Sequence, residues 1–155
     1  MIFCDELGFK IFRKNGNFYT TLFQTISISG LGEAGHAEYT SDGQFLLTIH
    51  ISGYGLVHKR NDQGKFEEKV RVYTGAAGST IGAIKDDHTK ILINEGRKWM
   101  EYTIDVDTNT SSKIDDGNLG TFLQTMKYKN DDKMFLYYEE FTSEHFLYRR
   151  SNGSE

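Results

Sequence analysis

The five histidines are the first residues to consider, because imidazoles bind metals and transfer protons at neutral pH. They are His36, His50, His58, His88 and His145. None has the HxxxH or HExxH spacing with which one helix presents two imidazoles to a metal ion. His50 and His58 fall on neighbouring predicted strands, where they would face each other across a hairpin, but no carboxylate lies close to them in the sequence. The sequence therefore predicts no metal site.

Acidic clusters form a second group with chemical potential, since paired carboxylates can serve as general acid and base or bind calcium. They lie at residues 86–87, 115–117 and 130–132. The segment from Asp105 to Asn109 comes closest to a calcium loop, but it lacks the glycine at the sixth position and the glutamate at the twelfth. Asp and Asn are common turn residues, so the pattern favours turns over a cation site.

Glycines at 30, 32 and 35 spell GxGxxG, a motif that holds phosphate only between a strand and a helix. Residues 36–40 read as a strand, and Gly75 and Gly78 occupy the corresponding place later in the chain. This pattern indicates a connection between structural units. No GxSxG nucleophile motif is present, and no cofactor is predicted.

Basic pairs recur in or just before predicted strands. They are Lys59 with Arg60, Arg97 with Lys98, and Arg149 with Arg150. Alternation along a strand turns one member of each pair to solvent. A solvated strand edge is the simpler interpretation, and a shallow site for an anionic partner is the alternative.

Composition limits the class of protein. The chain has 155 residues, 37% of them hydrophobic and 26% charged, with a net charge of -4. These values fit a folded soluble domain. With no basic run and no apolar stretch near the roughly 18 residues of a membrane span, neither a nucleic acid nor a membrane is predicted as partner. The start of the chain does not read as a signal peptide, and the single Cys4 cannot form an internal disulfide, so a cytoplasmic location and a buried Cys4 are expected.

Strands are the elements that must position these side chains. Apolar residues alternate or form short runs bounded by Gly, Asn, Asp and Ser, and helical periodicity is hard to find. Aromatic residues, which favour strands, make up 14% of the chain. There are 16 glycines and no proline, so Gly, Asn and Asp must form the turns. The chain is predicted to be all-β.

An internal repeat organises these strands. A polar turn entering an apolar strand begins at Ser41, recurs 45 residues later at Asp86, and recurs after 44 more at Asn130. A second set of positions, Phe12, His58, Tyr102 and Tyr148, has spacings of 46, 44 and 46. A period near 45 is typical of four-stranded propeller blades.

The repeat predicts one propeller segment over residues 1–155, with approximate blades at 1–27, 28–74, 75–117 and 118–155. Predicted strands of the second blade are 36–40, 44–51, 55–59 and 65–73. Those of the third are 80–85, 90–94, 99–105 and 111–114, and those of the fourth are 122–129, 133–139 and 145–150. The chain is expected to begin inside the second strand of one blade and to stop before the last strand of another.

Residues 41–48, SDGQFLLT, resemble the segment of WD40 repeats that leads into the second strand of each blade. Phe9 to Arg13 resembles the third strand, with Phe12 where the family has Trp and Arg13 where it has Asp. No Trp-Asp pair is present, and Gly35-His36 lies too close to Asp42 for the family's Gly-His role. The resemblance implies a partial WD40-like propeller that serves as an interaction platform without catalysis.

Incomplete end blades would leave sheet edges with unpaired N–H and C=O groups. Three arrangements resolve this. The segment belongs to a longer propeller, or a second chain or a copy of the same chain completes the ring, or the strands form a sandwich or barrel instead. The first is preferred and the second is next.

The function predicted from these features is a non-catalytic scaffold that binds other proteins. Its contact face is expected on the loops at 30–35, 52–54, 75–79, 95–98, 118–120 and 140–144. The predicted partner-binding residues are Tyr54, Arg97, Lys98, Trp99, Phe141 and Glu144. The alternative is a propeller-type enzyme or small-ligand binder with its site on the central axis, to which the first strands contribute Glu38, Lys85 and Lys127. A secreted β-sandwich binding module is a further rival, disfavoured by the lack of disulfides.

Overall fold

The computed structural model describes residues 1–5, 8–27, 30–31, 33–75, 77–118, 125–128, 134–139 and 144–149, the last two ranges for their backbone. Every regular element in these ranges is a β-strand. The strands are β1 (Ile2–Asp5), β2 (Gly8–Asn15), β3 (Phe18–Ser27), β4 (Ala34–Tyr39), β5 (Phe45–His50), β6 (Tyr54–Arg60), β7 (Phe66–Tyr73), β8 (Ser79–Ile84), β9 (Lys90–Glu95), β10 (Lys98–Asp105), β11 (Thr110–Asn118), β12 (Thr125–Tyr128), β13 (Met134–Glu139) and β14 (Glu144–Arg149). None of the described segments forms a helix that would be long and apolar enough to cross a membrane.

Four antiparallel sheets, numbered here as blades one to four, follow one another along the chain. Their strand orders are β1-β2-β3, β4-β5-β6-β7, β8-β9-β10-β11 and β12-β13-β14. The first strands of blades two, three and four lie side by side, and β7 contacts β11 at the outer edge. This arrangement of sheets about a shared axis is that of a propeller. The predicted all-β, partial-propeller fold is confirmed, and completion of the ring by another chain stays a prediction.

The 45-residue repeat is a repeated turn in blades two and three, and its third copy, at residues 130–133, lies outside the described residues. In blade two, Gly43 donates its backbone N–H to the Thr40 carbonyl at 2.9 Å, and the Asp42 carboxylate accepts from the Gln44 N–H at 2.9 Å. In blade three, His88 donates to the Lys85 carbonyl at 2.8 Å, and Asp87 accepts from the Thr89 N–H at 3.1 Å.

The two turns share an unusual backbone angle at their third residue. Gly43 has a φ of 66° and His88 a φ of 52°, a region that side chains with a Cβ rarely adopt. The His88 ring stacks on Phe45, with ring centroids 4.1 Å apart, and this contact joins the turn of blade three to the second strand of blade two.

Blades two and three bury both of their faces, each packing against a neighbour on either side. All six residues of β5 are buried, as expected for a strand covered on both sides. Leu46 belongs to the core between blades one and two, whereas Leu47 and Ile49 belong to the core between blades two and three. A smaller cluster between blades three and four contains Trp99 and Met126. Cys4 is partly buried at the edge of the first of these cores.

The predicted strands of blades two and three agree with the structure within two residues at all but one end. The exception is β11, which continues to Asn118 through the acidic cluster at residues 115–117. Asp115 pairs with Glu101 and Gly117 with Trp99, so the prediction of a turn there was wrong. A Cβ on Gly117 would lie 2.6 Å from the Trp99 indole nitrogen, which means that this glycine makes room for the indole ring within a strand.

The close approach of blades two and three predicts a stability effect at Gly55 in β6. A Cβ at this position would lie 2.5 Å from Cδ1 of Ile93, a side-chain atom of the neighbouring blade. We expect Gly55→Ala to lower the free energy of unfolding by about 1–3 kcal/mol through overpacking. Ile93→Val removes the clashing methyl group and costs about 1 kcal/mol alone.

The double variant Gly55→Ala/Ile93→Val should therefore lose less free energy of unfolding than the two single variants lose together. Urea denaturation of the parent, the two single variants and the double variant measures this. Ser111→Ala, at an exposed position of β11, is the control and should have little effect. Additive losses in the double variant would contradict the packing described here.

Candidate functional site

A cavity of about 490 Å³ lies where the first strands of blades two, three and four end. Its lining comes from these strands and the turns that follow them: Glu38, Tyr39, Ser41, Ile84, Lys85, Asp86, Asp87, Lys127 and Tyr128. We call it the axial cavity. It combines two carboxylate-bearing turn residues, one half-buried glutamate and two lysines, and so holds the groups needed for proton transfer and for stabilising an anion.

Glu38 near the end of β4 is the side chain with the most altered chemistry in this cavity. Burial raises its pKa from the usual value to about 7, against the effects of the Lys127 charge and of a hydrogen bond from the Ile84 backbone, which both lower the pKa. The Asp86 charge adds to the increase. Its Oε2 atom is buried without a hydrogen-bond partner among the described residues. The carboxyl group is therefore able to exchange a proton near neutral pH.

Asp87, in the turn of blade three, has the opposite behaviour. Burial raises its pKa, but hydrogen bonds from Lys85 and from the Thr89 side chain and backbone outweigh that effect and bring the pKa down to about 2. The Thr89 hydroxyl donates at 2.6 Å, and the Lys85 ammonium group contacts the other carboxylate oxygen. Asp87 stays ionised across the physiological range and holds Lys85 in place, which leaves Glu38 as the proton-transfer group.

Two further contacts fix the walls of the axial cavity. The Ser41 backbone N–H donates to the Asp86 carboxylate at 2.7 Å, which ties the turn of blade two to that of blade three. The Tyr128 hydroxyl donates to Oε1 of Glu101 at 3.1 Å, and Lys90 lies 4.0 Å from the same oxygen. Glu101 is buried in β10, so this contact joins blade four to blade three beside the cavity.

The buried histidines lie away from the axial cavity, between blades one and two. The Thr48 hydroxyl is 3.2 Å from Nε2 of His50 and 3.0 Å from Nε2 of His58, so the two imidazoles share one hydroxyl group across the β5–β6 hairpin. A hydroxyl donates only one hydrogen, so at least one of the two imidazoles must donate to it. Among the described residues, no three His, Cys, Asp or Glu side chains come together as a metal site requires.

The structure separates the predicted partner-binding residues. Arg97 and Lys98 are exposed at the β9–β10 turn, but Trp99 is only 3% exposed and packs between blades three and four. Tyr54 is half-buried and stacks on Tyr73, with centroids 4.7 Å apart. Glu144 begins β14, where only the backbone is described, and Phe141 lies outside the described residues.

The axial cavity opens at the opposite end of the blades from the predicted contact face. That face consists of the loops after the second and fourth strands, whereas the cavity is formed by turns after the first strands.

The sequence did place Glu38, Lys85 and Lys127 on first strands, and the structure brings all three to one cavity. Asp87 and Tyr128 were missed. Asp87 lies in an acidic turn and Tyr128 on a strand next to Lys127, and neither position has a local pattern that distinguishes it from an ordinary turn or strand residue. At residues 30–35, strand β4 begins at Ala34 and includes Gly35, so the glycine pattern leads into a strand and not into the helix that a phosphate cradle requires.

No family model and no curated protein matches this chain. Solved structures do match it. One is a candidate 6-phosphogluconolactonase from Bacteroides uniformis, with a TM-score of 0.74 and 15% identity over 93% of this chain and 44% of that one. Another is a candidate 6-phosphogluconolactonase from Bacteroides fragilis, with a TM-score of 0.67 and 17% identity over 93% and 44%. A third is a periplasmic gluconolactonase from Pseudomonas aeruginosa, with a TM-score of 0.61 and 11% identity over 84% and 38%.

At these identities the likeness shows the fold, and the chain spans less than half the length of these three structures. The prediction of a non-catalytic WD40-type scaffold was wrong by this comparison, because the similar propellers are named for lactone hydrolysis. The alternative of a propeller-type enzyme with an axial site agrees better with the named neighbours. The WD40 resemblance in the sequence reflects the turn held by Asp42, which propellers of different activity can share.

The two buried histidines predict an acid sensitivity of the fold. Burial lowers the pKa of both His50 and His58 to about 4. The unfolded chain binds protons at these histidines near pH 6.5, whereas the folded chain binds them only near pH 4. The free energy of unfolding therefore keeps its full value above pH 6.5 and decreases as the pH falls towards 4. For His58 the loss amounts to roughly 3 kcal/mol.

Urea unfolding between pH 4 and 7 measures this effect, with His58→Gln as the test variant. Glu38 acts in the opposite direction, because its raised pKa makes the fold lose stability as the pH rises from 4.5 to 7. The measurements are therefore made in a Glu38→Gln background. An unchanged pH dependence after His58→Gln would contradict the prediction.

Proposed function

We propose that this chain contributes the catalytic part of a propeller hydrolase that opens the lactone ring of a sugar acid in the axial cavity. The observation that carries the proposal is the Glu38 carboxyl, with a pKa of about 7, lining a cavity that also contains Lys127. The names of the structural neighbours support a lactone as the substrate class.

Glu38 acts as the general base. Its carboxylate accepts a proton from a water molecule as the water oxygen attacks the lactone carbonyl carbon. The carbonyl π electrons move to the oxygen, and the tetrahedral intermediate carries a negative charge that the Lys127 ammonium group stabilises. When the carbonyl re-forms, the bond to the ring oxygen breaks, and that oxygen takes the proton from Glu38. Water and lactone are thereby converted to an open-chain hydroxy acid.

The environment of each carboxyl group supports this assignment. A base is most effective when its pKa lies near the working pH, a condition that Glu38 meets and Asp87 does not. Asp87 instead holds Lys85, whose charge faces the same cavity. The lining carries two lysines against Asp86, Asp87 and Glu38, so an anionic intermediate depends on the local charge of Lys127 rather than on a net positive charge of the cavity.

The proposal predicts that Glu38→Gln lowers kcat/KM for glucono-δ-lactone by 10²–10⁴-fold, because the amide cannot accept the proton. Acid release in a pH-stat, corrected for spontaneous ring opening, measures the rate. In the parent protein, kcat/KM should rise with pH through a midpoint near 7, since only the ionised carboxylate acts as base.

Glu33→Gln is the matched control, because Glu33 is an exposed glutamate at the opposite end of blade two. The activity of this variant should equal that of the parent. A parent rate no faster than spontaneous hydrolysis, or full activity in Glu38→Gln, would refute the assignment.

A second prediction concerns the electrostatic link between Lys127 and Glu38. The Lys127 charge lowers the pKa of Glu38, so Lys127→Met should raise it. We expect the pH midpoint of kcat/KM to move above 7 and the maximal rate to fall by roughly tenfold or more as oxyanion stabilisation is lost. Lys98→Met, remote from the cavity, should leave the midpoint unchanged. A midpoint that moves to lower pH in Lys127→Met would show that the two groups are not coupled in this way.

A further inference from the structure

A second cavity, of about 450 Å³, lies between blades one and two, and we call it the lateral cavity. It shares Tyr39 and Ser41 with the wall of the axial cavity but is otherwise formed by different residues. Its cationic residues are Arg13, Lys14 and Arg60, and its aromatic walls include Phe23 and Phe66.

The two guanidinium groups converge on one point. A Cβ placed on Gly64, in the β6–β7 turn, would lie 3.6 Å from Nη2 of Arg13 and 3.9 Å from Nε of Arg60. The first arginine belongs to blade one and the second to blade two, so folding brings together two like charges that are 47 positions apart in the sequence. Such an approach is unfavourable unless an anion compensates it.

Among the described residues, Arg60 also lines a neighbouring groove that contains Asp62, Glu67 and Asp107. The residues that line the lateral cavity include neither Asp nor Glu, and neither arginine forms an ion pair in the part of the chain that the structure describes. The chain as a whole is acidic, with a net charge of -4, so a cavity lined by three cationic side chains and no carboxylate is a local departure from its average charge. The cluster is complementary to a multiply charged anion.

The arginines are held in a way that leaves donors for a ligand. The guanidinium carbon of Arg13 lies over the Phe23 ring, 3.6 Å from its centroid, and that of Arg60 lies 5.6 Å from the centroid of Phe66. Arg60 uses its Nε to donate to the Gly64 carbonyl at 3.2 Å. A guanidinium group stacked on a ring keeps its terminal N–H groups in its own plane, where they can form paired hydrogen bonds to an oxyanion.

The aromatic walls are fixed before any ligand binds. The Gln24 side-chain amide donates to the Phe66 carbonyl at 2.7 Å and accepts from the Phe66 N–H at 2.8 Å, which locks blade one to blade two at this point. Tyr39 packs against Phe66, with ring centroids 5.5 Å apart. Phe66 is only 5% exposed, so the aromatic surface that a ligand can reach next to the two guanidinium groups comes mainly from the partly buried Tyr39 and Phe23.

We propose that the lateral cavity binds a small molecule that carries both a phosphate monoester and a planar ring, as a nucleoside monophosphate does. The phosphate dianion offsets two of the three positive charges of Arg13, Arg60 and Lys14, and the guanidinium forks match the geometry of phosphate oxygens. The planar ring packs against the aromatic walls. This site is separate from the Glu38 chemistry and does not depend on it.

Isothermal titration calorimetry with three probes tests the proposal. Adenosine monophosphate has both the planar adenine ring and the phosphate. Adenosine has the ring without the phosphate, and ribose 5-phosphate has the phosphate without the planar ring. We expect adenosine monophosphate to bind at least tenfold more tightly than either of the others. Absence of saturable binding by adenosine monophosphate overturns the proposal, and equal affinity for ribose 5-phosphate overturns it by showing attraction to charge alone.

Variants then locate the binding. Arg13→Gln and Arg60→Gln should each weaken adenosine monophosphate binding by tenfold or more, and Arg13→Lys, which keeps the charge but loses the planar fork, should also weaken it. Lys98→Gln, at the opposite end of the blades, is the control and should bind as the parent does. Glu38→Gln should also retain full affinity, so a failure of the lactonase proposal leaves this test intact. Unaltered affinity in all three arginine variants, with thermal unfolding showing that they are folded, overturns the proposal.

Discussion

The burial of the two middle sheets, blades two and three, between their neighbours is the constraint on which this structure depends. Strand β5 is buried along its whole length, with alternate side chains in the cores on its two sides. Such packing requires the sheets to approach closely, and Gly55 and Gly82 allow it at the contact between blades two and three. Because the sheets are packed face to face, their first strands are brought together at one axis.

This crowding is also the origin of the unusual chemistry at the axis. Glu38 lies on a strand edge that faces β8, and the loss of water around its carboxyl group raises its pKa. Asp87 is only one blade away, but three hydrogen bonds from Lys85 and Thr89 stabilise its ionised form. Glu101, another buried carboxylate, is occupied by Tyr128 and Lys90 in joining two blades. Three carboxyl groups thus have three roles, set by hydrogen bonding and access to water.

Both cavities lie at the end of the blades where the first strand turns into the second. Arg60 is one member of a basic pair that reads in the sequence as a solvated strand edge. In the structure it shares a cavity with Arg13 because blade one packs against blade two through Gln24 and Phe66. The same inter-blade packing takes Trp99 out of the surface that was predicted to bind partners. Aromatic residues in propeller blades serve mainly to fill the spaces between sheets, and exposure at an interface cannot be inferred from their type alone.

The sequence by itself determined the strands, the blade repeat and the turn chemistry, because these depend on interactions among residues close in the chain. Alternating apolar residues, the Asp42 and Asp87 turns and the period near 45 all act within one sheet. The strand through residues 115–117 was not predicted because Gly117 reads in the sequence as a turn residue. In the structure this glycine accommodates the side chain of Trp99 on the neighbouring strand. Only the tertiary structure decided which polar side chains are buried away from water and which of them lie close to one another. Glu38 and Lys127, or Arg13 and Arg60, come from different blades, so the pKa of Glu38 and the proximity of the two arginines depend on distances that no local pattern encodes.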